Sequence, residues 1–152
     1  MIQSVQELPI ILTSNTSQLT FDDDDIRTRK ASCCGWLQHN ENSPLYKVLC
    51  GGLYEVSFNA NVTSATAGPV AIALFIDGVI VPGTTVITTV TTAGSYENVA
   101  FNKEIEVCCG SDSTVTVASV PSVLTGVTLP GTPTDTVAPI YQNANFRIAK
   151  KA

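Results

Sequence analysis

The chain has 152 residues, 8 of them Lys or Arg and 13 Asp or Glu, for a formal net charge of −5; only 14% of residues are charged and 44% are hydrophobic. This balance excludes intrinsic disorder and argues against a nucleic-acid partner, which needs basic groups to displace phosphate counterions. No apolar run approaches the roughly 20 residues of a membrane helix, so membrane insertion is not expected, and the first residues show no basic stretch leading into an apolar core. Val, Ile, Thr, Gly and Pro dominate, which favours pleated surfaces over helices.

In chain order, residues 1–45 differ from the rest. Leu8-Pro9-Ile10-Ile11-Leu12-Thr13 and Gln18-Leu19-Thr20-Phe21 read as short strands. An acidic block, Asp22, Asp23, Asp24 and Asp25, is followed by the basic residues Arg27, Arg29 and Lys30. The expected organisation is an extended N-terminal arm over residues 1–45 and a compact β-domain over residues 46–152.

The clearest strand covers residues 54–63, where even positions are apolar and odd ones polar, the period of a half-buried strand. Residues 70–76 are apolar on both faces and predict a buried strand. Asp77-Gly78 is a hairpin signal, and Pro82-Gly83 marks a second turn. Strands are predicted over residues 84–91, 96–101, 103–109, 113–120 and 140–149, with a Thr-, Pro- and Gly-rich loop over residues 124–139. The spacing of about 8–12 residues suggests a sandwich or barrel.

Five cysteines, Cys33, Cys34, Cys50, Cys108 and Cys109, leave at least one thiol without a partner in the same chain. Buried or free thiols, disulfides within the chain and crosslinks between chains all stay open. Adjacent Cys-Cys pairs do not match the spacing of a zinc site. His39, the sole histidine, could be written with Cys34 or Cys50 as a nucleophilic pair, but its polar setting, Gln38-His39-Asn40-Glu41-Asn42, reads as a loop. The acidic run lacks the alternating spacing of a calcium loop, and on an extended chain its carboxylates point to alternate sides. No catalytic residue, cofactor site or metal site is expected, and the chain is not read as an enzyme.

Phe58 and Phe146 are expected in the core. Trp36, Tyr54, Phe75 and Tyr141 are the candidates for subunit contacts, where aromatic residues concentrate binding energy. The Ala71-Ala73-Phe75 face of the doubly apolar strand needs a cover, for which a second chain is the simple choice.

Gly52-Leu53-Tyr54-Glu55-Val56-Ser57-Phe58, Ala73-Leu74-Phe75-Ile76-Asp77-Gly78 and Ala144-Asn145-Phe146-Arg147-Ile148 resemble, in order, three strands of the C1q- and TNF-like proteins. The resemblance covers residues 47–150. It implies an all-β antiparallel jelly-roll sandwich and a homotrimer. The paired Cys-Cys-Gly motifs resemble small phage-encoded proteins, which implies a phage head-fibre or capsid-decoration subunit on a virion surface. The arm, with Asp22 to Asp25, Arg27, Arg29 and Lys30, would then attach it to a capsid or other shell protein. The alternatives are a glycan- or receptor-binding module and a Cys-crosslinked fibre subunit of a spore or cell surface. No Gly-X-Y run is present, so a collagen-borne assembly is excluded.

Overall fold

The computed structural model describes residues 1–12, 18–27, 35–108, 112–120 and 137–151, with residues 25–27 given by their backbone. Two antiparallel sheets face each other, and the described residues contain no helix. The strands are β1 (Ile2–Gln6), β2 (Ile10–Ile11), β3 (Asp23–Arg27), β4 (Leu37–His39), β5 (Tyr46–Val48), β6 (Gly52–Thr63), β7 (Gly68–Ile76), β8 (Val79–Ile80), β9 (Val86–Val90), β10 (Glu97–Val107), β11 (Ser113–Ser119) and β12 (Ile140–Lys150). The first sheet runs β10-β6-β12-β1-β3, with β2 beside β12. The second runs β4-β5-β11-β7-β8, with β9 also on β7.

Alternation decides which side chains enter the core. In β6, Tyr54, Val56, Phe58, Ala60 and Val62 are buried while Leu53 and Asn59 are exposed. Successive strand residues point to opposite faces, so one side of the sheet takes the apolar set. Phe146 and Ile148 of β12 and Val99, Phe101 and Ile105 of β10 face the same interior. Phe58 stacks on Phe101 at 5.3 Å between ring centroids.

The Asp77-Gly78 hairpin forms as its sequence predicts. Asp77 has φ 50° and Gly78 φ 79°, the left-handed pair of a two-residue turn whose twist matches its flanking strands. Asp77 Oδ1 accepts from the Thr114 backbone N–H at 2.7 Å, tying the turn to β11. On β12, Asn143 (φ 51°) coincides with a register shift between Gln142 and Asn145 against β6.

The N-terminal segment departs from the expected extended arm. β1 pairs with β12 from Ile2↔Ile148 to Gln6↔Ala144, and β3 pairs with β1. β4 pairs with β5 in the opposite sheet. Leu12, Leu19 and Phe21 are 3, 0 and 0% exposed. Where described, residues 1–45 are therefore built into both sheets and the core. Their burial of apolar side chains, with ladder hydrogen bonds on both sides of β1, holds them there.

Candidate functional site: an outer sheet face and a buried histidine cluster

Across β10, β6, β12 and β1 the middle of the first sheet's outer face carries few charges; on β3, the exposed Asp23 sits opposite Val5. Residues directly opposite in antiparallel strands share a face, so two rungs can be followed across four strands. One is Gln3–Arg147–Ser57–Asn102 and the next is Val5–Asn145–Asn59–Ala100. Their inward neighbours Ile2, Ser4, Phe58, Phe101 and Phe146 are buried, so these eight side chains point outward. Arg147 is the one charge among the eight, and its Nε lies 3.1 Å from Met1 Sδ.

Toward one end this face becomes apolar. Ile11 lies opposite Ile140, and Ile10 opposite Tyr141. Tyr141 is 1% exposed, which turns Ile11 and Ile140 outward. Ile11 is 57% exposed, and Leu8, at the crossing from β1 to β2, is 69% exposed. Tyr96 is 57% exposed, and its hydroxyl donates to Gln142 Oε1 at 2.9 Å. Charges gather at the other end, where Lys151 Nζ meets Glu104 at 2.5 Å and Glu55 at 4.0 Å. These two carboxylates raise the Lys151 amine above its ordinary value, the Glu104 hydrogen bond contributing most.

The aromatic residues expected at subunit contacts fall differently. Tyr54 and Tyr141 are 0 and 1% exposed within the single chain. Both point inward because they share the alternation of core neighbours, so they fill the sandwich and leave no surface for a second chain. The Tyr54 hydroxyl donates to the Cys50 carbonyl. Trp36 is half-buried and packs on Tyr54 at 5.5 Å. Phe75 is half-buried against Ala71, Ala73 and Val120. Ala71 and Ala73 are 3 and 0% exposed in the one chain; their cover does not require a neighbouring protomer.

His39 is not a loop residue. It ends β4, and its side chain is 0% exposed. Nδ1 lies 2.7 Å from Asp24 Oδ1 of β3, and Nε2 lies 2.8 Å from the Ser43 carbonyl oxygen. The Ser4 hydroxyl of β1 donates to the same Oδ1 of Asp24. The ring stacks on Tyr46, with centroids 4.0 Å apart and planes within 6°. With both nitrogens on oxygens and the ring enclosed, His39 is placed to hold strands together.

Of the acidic run, Asp23 is exposed and Asp24 turns in, as expected for carboxylates on an extended strand. Asp22 is half-buried, and Asp25 and Arg27 belong to the backbone of β3. Arg29, Lys30, Cys33, Cys34, Cys109 and most of the predicted 124–139 loop lie outside the described residues. Cys50 is half-buried and Cys108 exposed, both as free thiols. Among the described residues, no group of three or more His, Cys, Asp or Glu side chains converges as a metal site.

Sequence pattern alone missed two features. The neutral face needs the register of four strands. The Asp24–His39 contact joins residues fifteen positions apart in opposite sheets, and neither residue carries a local signal for it.

No protein-family model matches the chain, and no curated protein matches it in sequence. Its fold does match solved structures. The globular domain of zebrafish complement 1qA aligns over 99% of this chain and 96% of its own, with a TM-score of 0.61 and 10% identity. Murine APRIL, in a crystal structure at pH 5.0, aligns over 99% and 97%, with a TM-score of 0.62 and 10% identity. The chain has a C1q/TNF-like jelly-roll fold. The likeness extends through the N-terminal residues, in keeping with their place in both sheets.

Proposed function

We propose that this jelly roll is a non-enzymatic structural subunit that self-associates as a trimer through the outer face of its first sheet. The observation that carries the reading is that face: on a chain of net charge −5, its two central rungs hold one charge across β10, β6, β12 and β1, and Ile11 and Tyr96 stand exposed, with Ile140 half-buried, beside them. Like charges across an interface are unfavourable, so an acidic chain meets its own copies best on a neutral surface. Exposed apolar side chains next to amides supply both burial and hydrogen bonds. The overall likeness to C1q and TNF-type folds supports the trimer.

The finer reading is a virion component, a capsid decoration or head-fibre subunit, that contacts a shell protein through its N-terminal region. The resemblance of the Cys-Cys-Gly pairs to small phage proteins supports it, and the exposed Asp23 is one described residue of the acidic run open to a basic partner. Size-exclusion chromatography with light scattering tests the assembly. The expected mass is three times the 16.0 kDa chain, and a monomer at micromolar concentration overturns the proposal. Electron microscopy of the native particle tests the location; absence of this sandwich from a shell surface sinks the virion reading while leaving the trimer intact.

A further inference from the structure

A groove of about 350 Å³ opens along one edge of the sandwich. Val79, Val81 and Pro82, in and just after the β7–β8 hairpin, stand on one side of it; Glu104, Ile105 and Glu106 of β10 stand on the other. β10 is an edge strand of the first sheet and β8 of the second. β10 pairs with β6 alone, so alternate backbone N–H and C=O groups along its other side meet no strand among the described residues. An unpaired edge is a template for one more strand.

The side chains along this edge alternate in chemistry. Ile105 and Val107 point into the sandwich, which turns Glu104 and Glu106 outward. Glu104 meets Lys151, whereas the Glu106 carboxylate has no ion-pair partner among the described residues. Lys103 holds an inward position between Phe101 and Ile105, and its Nζ lies 3.7 Å from the place a Cβ on Gly83 would take. An inward lysine blunts an edge strand, so it closes the middle of β10 and leaves the stretch beyond it open to the groove. The apolar wall across from that stretch is uncovered: Val79 is 70% exposed.

We propose that this stretch of β10 takes an extended segment of a partner protein as an added strand, with side chains in the order basic, apolar, basic. Strand addition draws affinity from main-chain hydrogen bonds and specificity from pockets for alternate side chains. Successive side chains of the added strand point to opposite faces. The two basic ones fall on the outer face, across from Glu104 and Glu106, where opposite charges on neighbouring strands attract. The apolar one between them points inward, beside Ile105, into the groove against Val79, Val81 and Pro82. Ile11 and Tyr96 lie at the other end of the first sheet, so the partner segment and the proposed self-association use separate surfaces.

The probe is a short end-capped peptide of alternating Lys and Val, labelled for fluorescence anisotropy and titrated with the full chain. It should bind, and added salt should weaken it. Glu106→Lys should weaken binding by roughly tenfold or more, since like charges then face each other. Glu106 is exposed, and circular dichroism checks that the variant folds. A peptide with the same residues in separate Lys and Val blocks, and one alternating Lys and Ser, should each bind roughly tenfold more weakly. N-methylation of alternate peptide amides should abolish binding for the set that faces β10 and spare the other set. Ile11→Glu should bind the peptide as the parent chain does, which separates this edge from the self-association face. Absence of binding to the parent chain overturns the proposal. Equal binding of the block peptide, or by Glu106→Lys, overturns it too, because the contact is then general attraction between a cationic peptide and an acidic chain. Equal binding by both N-methylated sets overturns strand addition. A changed assembly mass for Glu106→Lys without peptide assigns the edge to a second copy and likewise overturns it.

Discussion

Phe21 lies against Phe146 with ring centroids 5.6 Å apart and planes 25° from parallel. Phe21 belongs to the N-terminal region and Phe146 to the terminal strand β12, and both are fully buried. Tyr46 closes the group, 5.9 Å from Phe21 and 4.8 Å from Phe146. One residue of the expected arm is thus a central core residue. Phe21→Ala should lose about 3–5 kcal/mol of unfolding free energy, the range for emptying a buried Phe site. Urea denaturation followed by circular dichroism measures it. A loss below about 1 kcal/mol, within the range of an ordinary surface substitution, would show that the N-terminal segment is not integral to the core.

The hairpin at Asp77 predicts an acid response. The Thr114 backbone N–H holds the Asp77 carboxyl below its ordinary value of 3.8, with the Thr114 hydroxyl helping and partial burial opposing. A lowered folded-state value gives stability that is present above the unfolded value and lost as pH falls through the folded one. Asp77→Asn should therefore flatten the decline in melting temperature between pH 5 and pH 2, those limits lying about one to two units either side of an unperturbed carboxyl. Parallel melting curves for the two proteins across that window would refute the linkage.

Gly78 tests the turn itself. Its φ of 79° is in the left-handed region, which costs a residue with a Cβ about 1–2 kcal/mol. No heavy atom lies within 4 Å of the position a Cβ would take, so Gly78→Ala should cost that amount through backbone strain alone. Gly78→Asn should recover part of it, because Asn tolerates this conformation better. Equal destabilisation by Ala and Asn would argue against the assigned turn.

Tyr141 predicts an alkaline limit. Burial pushes its phenol well above the ordinary value of 10.0, since the charged form would lose its solvation. The raised value means that the unfolded chain releases this proton first, so stability falls as pH rises beyond about 10. The ultraviolet absorbance step removed by Tyr141→Phe should coincide with loss of the far-ultraviolet strand signal. A Tyr141 step that precedes unfolding would place the phenol in contact with water.

The association surface has its own variant. Ile11→Glu sets a carboxylate on the apolar end of the neutral face, at a residue already 57% exposed. Folding should be retained, while the concentration for half-assembly should rise by roughly tenfold or more, a change of about 1.4 kcal/mol or greater. Sedimentation velocity reads both species. Unaltered assembly would move the interface elsewhere on the sandwich.

The strands over residues 52–63 and 140–150 were legible because their inward residues are apolar and their outward ones polar. The same alternation already assigned Tyr54 to the side of Val56 and Phe58, so its burial could have been read before any coordinates. β1 was not legible as a strand: its inward residues are Ile2, Ser4 and Gln6, and two polar residues on the core side erase the apolar period. Ser4 is acceptable there because Asp24 takes its hydrogen. Gln6 donates to the Leu8 carbonyl, while its Oε1 finds no hydrogen-bond partner among the described residues.

Low charge, β-branched composition, period-2 strands and the Asp77-Gly78 turn determined from sequence that this is an all-β sandwich or barrel, because those features act through each residue's own backbone and its nearest neighbours; the resemblance of three strands to C1q- and TNF-like proteins narrowed it to an antiparallel jelly roll. Tertiary structure alone decided the rest. The arm became part of both sheets because pairing partners as distant as Ile2 and Ile148 complete its ladder. The neutral outer face exists only once four strands fall into register. His39 is buried with both nitrogens on oxygens because β3 of the opposite sheet brings Asp24 to one and the β4–β5 connection brings the Ser43 carbonyl to the other. Long-range pairing and burial set these features, and neither leaves a periodic trace in the local sequence.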